Sequence, residues 1–488
     1  MDPIVAVTGG QVRGSTKDGI TAYLGIPYAA TPVGADLYAA PQPVKPWDGV
    51  RDATALGATP PQPGYDPPFN KLLSNPIIPG DEILNVNVWT PGGSGLPVMV
   101  WIHGGAFRNG SNAVPAYDGT AFARDGVVLV SVNYRLGVIG FGVVKGAPSN
   151  RGLLDQLAAL QWVQENIASF GGDPDQVTIF GQSAGGMSVA TLISLPASQG
   201  LFRRAIMQSG SAEAVAHASD AGLMTAELAK RLGIQATPEA LGAVPAAALI
   251  DAQRVVSAEL RAKPDPARFG ASVVKAGGGI MPFFPVIDGE LIHQLPLDAI
   301  AGGAAAGLEL LTGFTSEEFR FFLVPSGIAA AVTAEALPML LAQAGLDPAI
   351  AETFAANRPG QSPGELFAAV TSAAFFAVPT IRLAEAVARS YVYEFAWQSP
   401  LPGLGACHAL ELPFVFDTLA LDRSPLQGDN PPQELADRMH AAWVAFATTG
   451  DPGWSQYKTD TRSVMTFDHP ESRQLADPHG DELALLRQ

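Results

Sequence analysis

The chain contains one cysteine, Cys407, among its 488 residues. A single cysteine can form neither an intramolecular disulfide nor a cysteine-based zinc site, so the fold must be held together by its apolar core. Because structural disulfides belong to oxidising compartments, their absence fits a reducing one, and we expect a cytoplasmic protein. Secretion stays open if a signal peptide has been removed from the chain.

Positive charge is also scarce. The chain has 29 lysines and arginines against 46 acidic residues, which gives a formal net charge of −17. It has no run of basic residues and no GxxxxGK[ST] loop, so we expect no nucleic-acid partner and no nucleotide. No apolar stretch approaches the roughly 18 residues that span a bilayer, so we expect no membrane partner.

Apolar and turn-forming residues are abundant instead. Hydrophobic residues make up 47% of the chain and charged residues 15%, with 52 glycines and 41 prolines. The glycines and prolines follow no period, which excludes a collagen-like chain, and the apolar content excludes a disordered one. The length allows roughly three domains or one large α/β unit.

Predicted strands and helices alternate through most of the chain. Residues 96–102 and 126–132 are continuous apolar runs, which is typical of strands buried on both faces of a parallel sheet. Apolar side chains recur every three or four residues within 152–170, which predicts a helix. The same reasoning predicts a helix at 184–195 and strands at 4–7, 21–25, 177–180, 204–208, 308–313 and 391–397. This order predicts a mostly parallel, doubly wound α/β sheet.

Two Ala-rich blocks with helical spacing, at about 213–300 and 317–385, are longer than a connection between strands requires. No Ser/Gly-rich linker separates them from the rest, so we interpret them as helical cap insertions in a single domain of residues 1–488. A Pro-rich stretch at 57–80, which contains several apolar side chains, is either a lid or a packed surface loop.

Residues 181–185 read Gly-Gln-Ser-Ala-Gly, a GxSxG motif between a predicted strand and a predicted helix. The letters alone are weakly informative, and the strand-turn-helix context gives the motif its value. There, Ser183 lies on a strained turn that exposes its hydroxyl at the carboxyl end of the sheet. Side chains at 181 or 185 would collide with neighbouring backbone. The pattern predicts that Ser183 is a nucleophile.

Such a serine needs a base, and an acid to orient it, in the chain order Ser, Asp or Glu, His. His103 precedes Ser183 and is excluded by this order. His408 is favoured, because its Gly/Pro-rich loop leaves a predicted strand at the carboxyl end of the sheet. Spacing leaves five further histidines open: His217, His293, His440, His469 and His479.

The orienting acid and the oxyanion donors are expected at the same edge of the sheet. The turn that follows strand 308–313 offers Glu317 and Glu318, and spacing cannot choose between them. The turn at 103–107, His-Gly-Gly-Ala-Phe, follows strand 96–102, and its glycines leave backbone N–H groups unobstructed. Two such donors and the N–H of Ala184 would form an oxyanion hole.

Longer segments extend these motifs into a family resemblance. They read Tyr-Leu-Gly-Ile-Pro-Tyr at 23–28, Asn-Val-Trp-Thr-Pro at 87–91, Asn-Tyr-Arg-Leu-Gly at 133–137, Gly-Leu-Leu-Asp-Gln at 152–156, Phe-Gly-Gly-Asp-Pro at 170–174 and His-Ala-Leu-Glu-Leu-Pro-Phe-Val-Phe at 408–416. Over nearly its whole length the chain resembles the type-B carboxylesterases, in the p-nitrobenzyl-esterase branch of the cholinesterase-like α/β hydrolases. The resemblance implies an α/β-hydrolase fold.

The resemblance also implies roles for individual residues. It assigns Ser183 as nucleophile, His408 as base and Glu318 as the acid that orients the base. The positions that match oxyanion donors are Gly105, Ala106 and Ala184. Gln182 and Ser209 match positions beside the triad, and Arg135 and Asp155 match a structural ion pair. The positions expected to line an apolar substrate pocket are Phe107, Phe319, Phe321, Phe322 and Leu412.

The predicted activity is hydrolysis of small, uncharged carboxylic esters through an acyl-enzyme, with no cofactor and no metal. Gln182 stands where the family often has Glu, which disfavours choline esters. Alternative substrates are aryl carbamates, amides and aromatic polyester fragments, and a remote alternative is a non-catalytic binding protein. We expect a monomer, with an oligomer left open. Because Cys407 adjoins His408, a further hypothesis is that alkylating its thiol blocks the site.

Overall fold

The computed structural model describes residues 3–277, 279–421 and 424–487. Its strands, in chain order, are β1 (Ile4–Val7), β2 (Gly10–Arg13), β3 (Ser15–Lys17), β4 (Ile20–Pro27), β5 (Val50–Asp52), β6 (Asn85–Thr90), β7 (Leu96–Ile102), β8 (Val128–Val132), β9 (Gly172–Gln182), β10 (Arg204–Gln208), β11 (Ala216–His217), β12 (Val286–Ile287), β13 (Glu309–Thr315), β14 (Arg389–Phe395), β15 (Ser463–Phe467) and β16 (Arg473–Ala476).

Its α-helices are α1 (Thr120–Arg124), α2 (Gly137–Phe141), α3 (Arg151–Asn166), α4 (Ala184–Ser194), α5 (Ala218–Leu232), α6 (Pro238–Gly242), α7 (Ala246–Ala262), α8 (Pro266–Phe269), α9 (Ala271–Gly277), α10 (Pro296–Ala299), α11 (Arg320–Leu323), α12 (Ile328–Ala331), α13 (Leu337–Gln343), α14 (Ile350–Asn357), α15 (Pro363–Ser372), α16 (Val378–Ala386), α17 (Leu412–Val415), α18 (Gln433–Thr449) and α19 (Gly480–Leu486). By length and composition alone, the helical run Pro363–Ala386 could cross a membrane. However, 61% of its most apolar window is buried inside the protein, as in a core helix.

Within the described ranges, the main sheet has eleven strands in the order β16-β15-β14-β13-β10-β9-β7-β8-β6-β4-β3. The block from β15 to β8 is parallel, and the strands at both ends are antiparallel. β7 lies between β8 and β9, so the connections run in opposite directions on its two sides. Ligand crevices in α/β sheets form at the carboxyl ends of the strands near such a switch point.

Strand β7 shows why the sheet is buried on both faces. Alternate side chains of a strand point to opposite faces. Val98, Val100 and Ile102 belong to the core cluster on one face, and Met99 and Trp101 belong to the cluster on the other. Helix α4 packs against β9 and β10, and α18 packs against β7 and β9. The predicted doubly wound sheet is confirmed.

Most predicted elements are present with shifted ends. The predicted helix at 152–170 is α3 followed by a 3-10 turn, Ile167–Phe170, which stops where Gly171 takes a φ of +87°. The predicted strand at 177–180 is the centre of the longer β9. The predicted insertion at 213–300 contains α5 to α10 together with the short parallel pair β11 and β12. The insertion at 317–385 contains α11 to α15 and most of α16.

A buried ion pair ties the loop after β8 to helix α3. The side chains of Arg135 and Asp155 are fully buried, and two hydrogen bonds of 2.7 and 2.8 Å join them. Arg135 also donates to the carbonyls of Leu37 and Ala39, so its guanidinium is satisfied on several sides. The predicted structural ion pair is confirmed.

We expect Asp155→Ala to lower the free energy of unfolding by about 3–5 kcal/mol, because it leaves the charge of Arg135 buried without a counter-ion. Urea denaturation followed by tryptophan fluorescence measures the change. Arg473→Ala is the control, since it breaks a pair with Glu471 whose two side chains are 69% and 65% exposed. That variant should lose less than about 1 kcal/mol. Equal losses in the two variants would contradict the structural role of the buried pair.

Candidate active site

Ser183 lies on a sharp turn between β9 and α4. Its φ of 55° and ψ of −123° are strained for a residue with a side chain, and its N–H donates to the carbonyl of Gln208 at 2.9 Å. The glycines around it have no room for a side chain: a Cβ at Gly185 would overlap the carbonyl of Ile102, and one at Gly181 would meet the backbone of Gly185. The crowding expected from the motif is therefore present.

A hydrogen bond joins the side chains of His408 and Glu318. Nδ1 of His408 makes a short hydrogen bond with Oε2 of Glu318. The other oxygen of Glu318 accepts from the N–H of Thr315 at 2.8 Å. Glu318 is fully buried and His408 is 5% exposed, so little water competes for this contact.

The structure distinguishes the two acids that spacing left open. Oε2 of Glu317 accepts from the N–H of Ala406 at 2.9 Å, and its other oxygen lies 3.0 Å from Arg320. Glu317 therefore holds the loop that carries His408, and Glu318 contacts the imidazole itself. This matches the choice that the family resemblance implied.

Two buried histidines have other partners. His103 stacks on Tyr134 at 4.4 Å, and burial lowers the pKa of its imidazole to about 4. His440 lies in α18, where Nδ1 is 2.8 Å from the carbonyl of Val415 and Nε2 is 3.2 Å from Asp125. Among the described residues, neither His103 nor His440 forms a hydrogen bond with Ser183.

The remaining nitrogen of His408 is bound by a side chain other than the serine. Nε2 of His408 lies 3.1 Å from the side-chain amide nitrogen of Gln182. When Nδ1 carries the proton shared with Glu318, the Gln182 amide donates to the lone pair of Nε2. Within the part of the chain that the structure describes, no hydrogen bond joins Ser183 Oγ to His408. Catalytic hydrogen bonds are often long before substrate binds.

Free backbone donors face the same space. Gly105 and Ala106 have φ values of +115° and 55°, and among the described residues neither N–H has an acceptor. A Cβ at Gly105 would overlap the carbonyl of Asn109, so only glycine fits there. Ala184 is the first residue of α4, and its N–H therefore has no acceptor within the helix. These are the three donors that the resemblance implied.

Ser183, His408 and the turn at 104–106 line one cavity of about 1460 Å³. Aromatic rings surround His408: the ring of Phe376 lies 5.1 Å from the imidazole, that of Phe322 at 5.2 Å and that of Phe321 at 6.3 Å. Phe319 and Leu412 also line the cavity. The Pro-rich stretch at 57–80 contributes another part of the wall, from Tyr65 to Ser74.

Phe107 is a correction to the predicted pocket. Its side chain has no exposed surface and packs edge-on against Phe141 at 4.7 Å, so it belongs to the core and not to the cavity wall. The left-handed backbone of Ala106 and Phe107 turns the chain there, and the next residue, Arg108, lines the cavity instead. The family resemblance gave the place of Phe107 in the chain but not the direction of its side chain.

Two other expectations have different outcomes. Ser209 is buried at the end of β10 with φ 47°, and its hydroxyl has no hydrogen-bond partner among the described residues, so its role beside the triad stays a prediction. Cys407 is fully buried in a core cluster and is not one of the described residues that line the cavity, and burial raises the pKa of its thiol. The hypothesis that an alkylating reagent reaches this thiol and blocks the site is therefore wrong for the folded protein.

Sequence reasoning missed Glu411, three residues after His408. Glu411 is fully buried; one oxygen accepts from Gln208 at 3.2 Å, and the other has no partner among the described residues. Burial, together with the nearby charge of Glu318, raises the pKa of Glu411 to about 7. A glutamate inside the apolar run Leu-Glu-Leu-Pro-Phe was the available signal.

Comparison with known proteins agrees with this geometry. The profile of the carboxylesterase family matches residues 1–482. Para-nitrobenzyl esterase of Bacillus subtilis is 38% identical over 95% of this chain and 94% of its own. Phenmedipham hydrolase of Pseudarthrobacter oxydans is 35% identical over 95% of this chain and 94% of its own. The solved carboxylesterase EST55 of Geobacillus stearothermophilus superposes with a TM-score of 0.85, at 36% identity, over 99% of both chains.

The family match over nearly the whole chain and the relatives above 30% identity show the family to which the chain belongs. The resemblance read from the sequence motifs is confirmed, and the chain belongs to the carboxylesterase family of α/β hydrolases and is a carboxylic-ester hydrolase.

Proposed function

We propose that the protein hydrolyses uncharged aryl and short- to medium-chain acyl esters through an acyl-enzyme on Ser183. The observation that carries this proposal is the buried contact between Nδ1 of His408 and Glu318, beside a strained serine and free backbone donors. Each part corresponds to one requirement of acyl transfer: a nucleophile, an oriented base and an oxyanion site.

The first half-reaction is acylation of the serine. Ser183 Oγ attacks the ester carbonyl, and Nε2 of His408 takes its proton as the alkoxide of the tetrahedral intermediate forms. Glu318 fixes the tautomer with the proton on Nδ1 and stabilises the imidazolium. The N–H groups of Gly105, Ala106 and Ala184 donate to the oxyanion, at roughly 3 kcal/mol of transition-state stabilisation for each donor.

The alcohol then leaves with the proton from His408, and water repeats the sequence on the acyl group. Because Gln182 donates to Nε2 of His408, this amide must release the nitrogen before the nitrogen can accept the proton of Ser183. Gln182 is neutral, so it adds no charge that would favour a cationic alcohol group.

The aromatic wall favours a flat apolar group next to the ester. Three phenylalanines that line the cavity, Phe321, Phe322 and Phe376, have their rings within 6.3 Å of the His408 imidazole. Phe319 also lines the cavity and packs against Phe322. Aryl carbamate hydrolysis is the second candidate, since one relative at 35% identity is named phenmedipham hydrolase. Comparing kcat/KM for phenyl acetate with that for phenyl N-methylcarbamate decides which acyl group is preferred.

We expect Ser183→Ala to lower kcat for 4-nitrophenyl acetate by about 10⁴-fold or more, because no nucleophile replaces the hydroxyl. Ser455→Ala, at an exposed serine outside the cavity wall, is the control and should keep the wild-type rate. A fluorophosphonate probe should label the wild type and the control but not Ser183→Ala. Turnover or labelling of Ser183→Ala at the wild-type level would refute the proposal.

The two adjacent glutamates form a matched test of the orienting role. We expect Glu318→Gln to lower kcat by about 10³–10⁴-fold with little change in KM, because the amide favours the wrong imidazole tautomer. Glu317→Gln keeps the contact to His408 intact, so its kcat should stay within about fivefold of wild type. The assignment fails if Glu317→Gln is the more damaging substitution.

The pKa of Glu411 predicts a pH-dependent stability. A pKa raised from its ordinary value near 4.5 to about 7 means that the folded protein holds this proton more tightly than the unfolded chain does. The stabilisation is complete below pH 4.5 and is lost as the pH rises through 7. We therefore expect the Tm of Glu411→Gln, relative to wild type, to increase between pH 5 and pH 8.

Differential scanning fluorimetry at several pH values measures this difference. Glu290→Gln, at an exposed glutamate, controls for the loss of one carboxylate. Parallel Tm profiles for Glu411→Gln and wild type across this range would contradict the assignment of a protonated Glu411.

A further inference from the structure

One wall of the cavity carries positive charge that the ester chemistry does not use. Arg108 comes two residues after Ala106, so its backbone lies within roughly 7 Å of that oxyanion donor. The side chain is half-buried and lines the cavity. Its single hydrogen bond runs from Nε to Oδ1 of Asn109 at 3.0 Å, which leaves the two terminal nitrogens of the guanidinium free among the described residues.

Two more cations lie at the mouth of the same cavity. Arg261, on the last turn of α7, and Lys275, on α9, are exposed and line the opening. The stem of Arg261 lies against Gly279, where an added Cβ would come within 3.1 Å of its Cγ. Arg108 and Arg261 are close enough that the charge of Arg261, after burial, lowers the pKa of Arg108. We refer to Arg108, Arg261 and Lys275 as the cationic wall.

The acidic side chains of the cavity offset the charge of this wall only in part. Glu213 lines the cavity, but it is paired with Arg382 at 3.1 Å. Asp66 also lines the cavity and is exposed, and its charge acts on Arg108 in the direction that raises the pKa of the guanidinium. Within the described ranges, no carboxylate approaches Arg108, Arg261 or Lys275 to within 4.0 Å. The cavity is therefore locally positive in a chain whose formal net charge is −17.

We propose that the cationic wall makes this cavity a site for esters that carry a carboxylate away from the ester bond, with Arg108 as the residue that binds the carboxylate. The proposal rests on the proposed function and adds a substrate class to it: uncharged esters are hydrolysed, and esters with a remote carboxylate are hydrolysed faster. Exposed Arg261 and Lys275 attract the anion to the opening, since a cleft lined by one sign of charge concentrates counter-ions. Arg108 then donates its planar pair of terminal N–H groups to both carboxylate oxygens.

The test compares substrates that differ only in charge. For a carboxylate on the alcohol side, the pair is 4-butyryloxybenzoate and 4-butyryloxybenzamide. For a carboxylate on the acyl side, the pair is monoethyl adipate and ethyl adipamate. For one pair at least, we expect wild-type kcat/KM to be about tenfold higher for the carboxylate at low salt, and this ratio should fall as the ionic strength rises. The pair with the larger ratio tells which half of the ester faces Arg108.

Arg108→Met should reduce this ratio to about one and leave kcat/KM for the neutral partner within about twofold, which also shows that the variant folds. Lys145→Met is the matched control, because it removes one exposed positive charge outside the cavity wall and should keep the wild-type ratio. Arg108→Lys keeps the positive charge but loses the planar pair of N–H donors, so its ratio of kcat/KM between carboxylate and neutral partner should be intermediate.

The outcomes separate this proposal from the proposed function. Equal wild-type rates within both pairs, or an unchanged ratio in Arg108→Met, overturn the cationic wall while ester hydrolysis stands. If no ester is hydrolysed, calorimetric titration of Ser183→Ala with the same pairs replaces the rates. Tighter binding of the carboxylate that Arg108→Met abolishes then supports the wall, and equal binding of the two partners overturns it.

Discussion

The buried hydrogen bond between Nδ1 of His408 and Glu318 is the interaction on which the site depends. It forms because the parallel neighbours β13 and β14 end at the same edge of the sheet. Glu318 and His408 lie in the segments that follow these two strands, so their side chains meet there. The exclusion of water strengthens this contact. The carboxylate of Glu318 keeps the proton on Nδ1, which fixes one tautomer of the imidazole. Burial also raises the pKa of Glu411 to about 7, so the fold holds a second carboxyl near His408 that is neutral below pH 7.

The backbone around Ser183 is the matching constraint. A serine with strained backbone angles persists only where the surrounding structure allows no other conformation. Here β7, β9 and α4 pack so closely around the turn that Gly181 and Gly185 have no room for a side chain. The apolar core supports this close packing, because β7 is buried against apolar side chains on both faces of the sheet. The same apolar core therefore stabilises the sheet and fixes the position of the Ser183 turn.

Sequence reasoning could predict the features that hydrophobic period and local motif determine. Continuous apolar runs identified β7 and β8, and GxSxG in its context identified Ser183, because local chemistry determines both. It could not choose Glu318 over Glu317 without the family resemblance, since adjacent carboxylates differ only in direction. The family resemblance placed Phe107 in the pocket because a residue's place in the sequence does not give the direction of its side chain. Sequence reasoning also missed Arg108 and Glu411, because their surroundings are formed by residues distant in the chain.

The proposed mechanism depends on one step, in which Ser183 carries the acyl group during turnover. Acid quenching of the wild-type enzyme during hydrolysis of 4-nitrophenyl acetate, with peptide mapping by mass spectrometry, tests it most directly. We expect an acetyl group on the peptide that contains Ser183, which appears with substrate and disappears once the substrate is consumed. An acetyl group that turns over on another residue, with Ser183 unmodified, would contradict this mechanism.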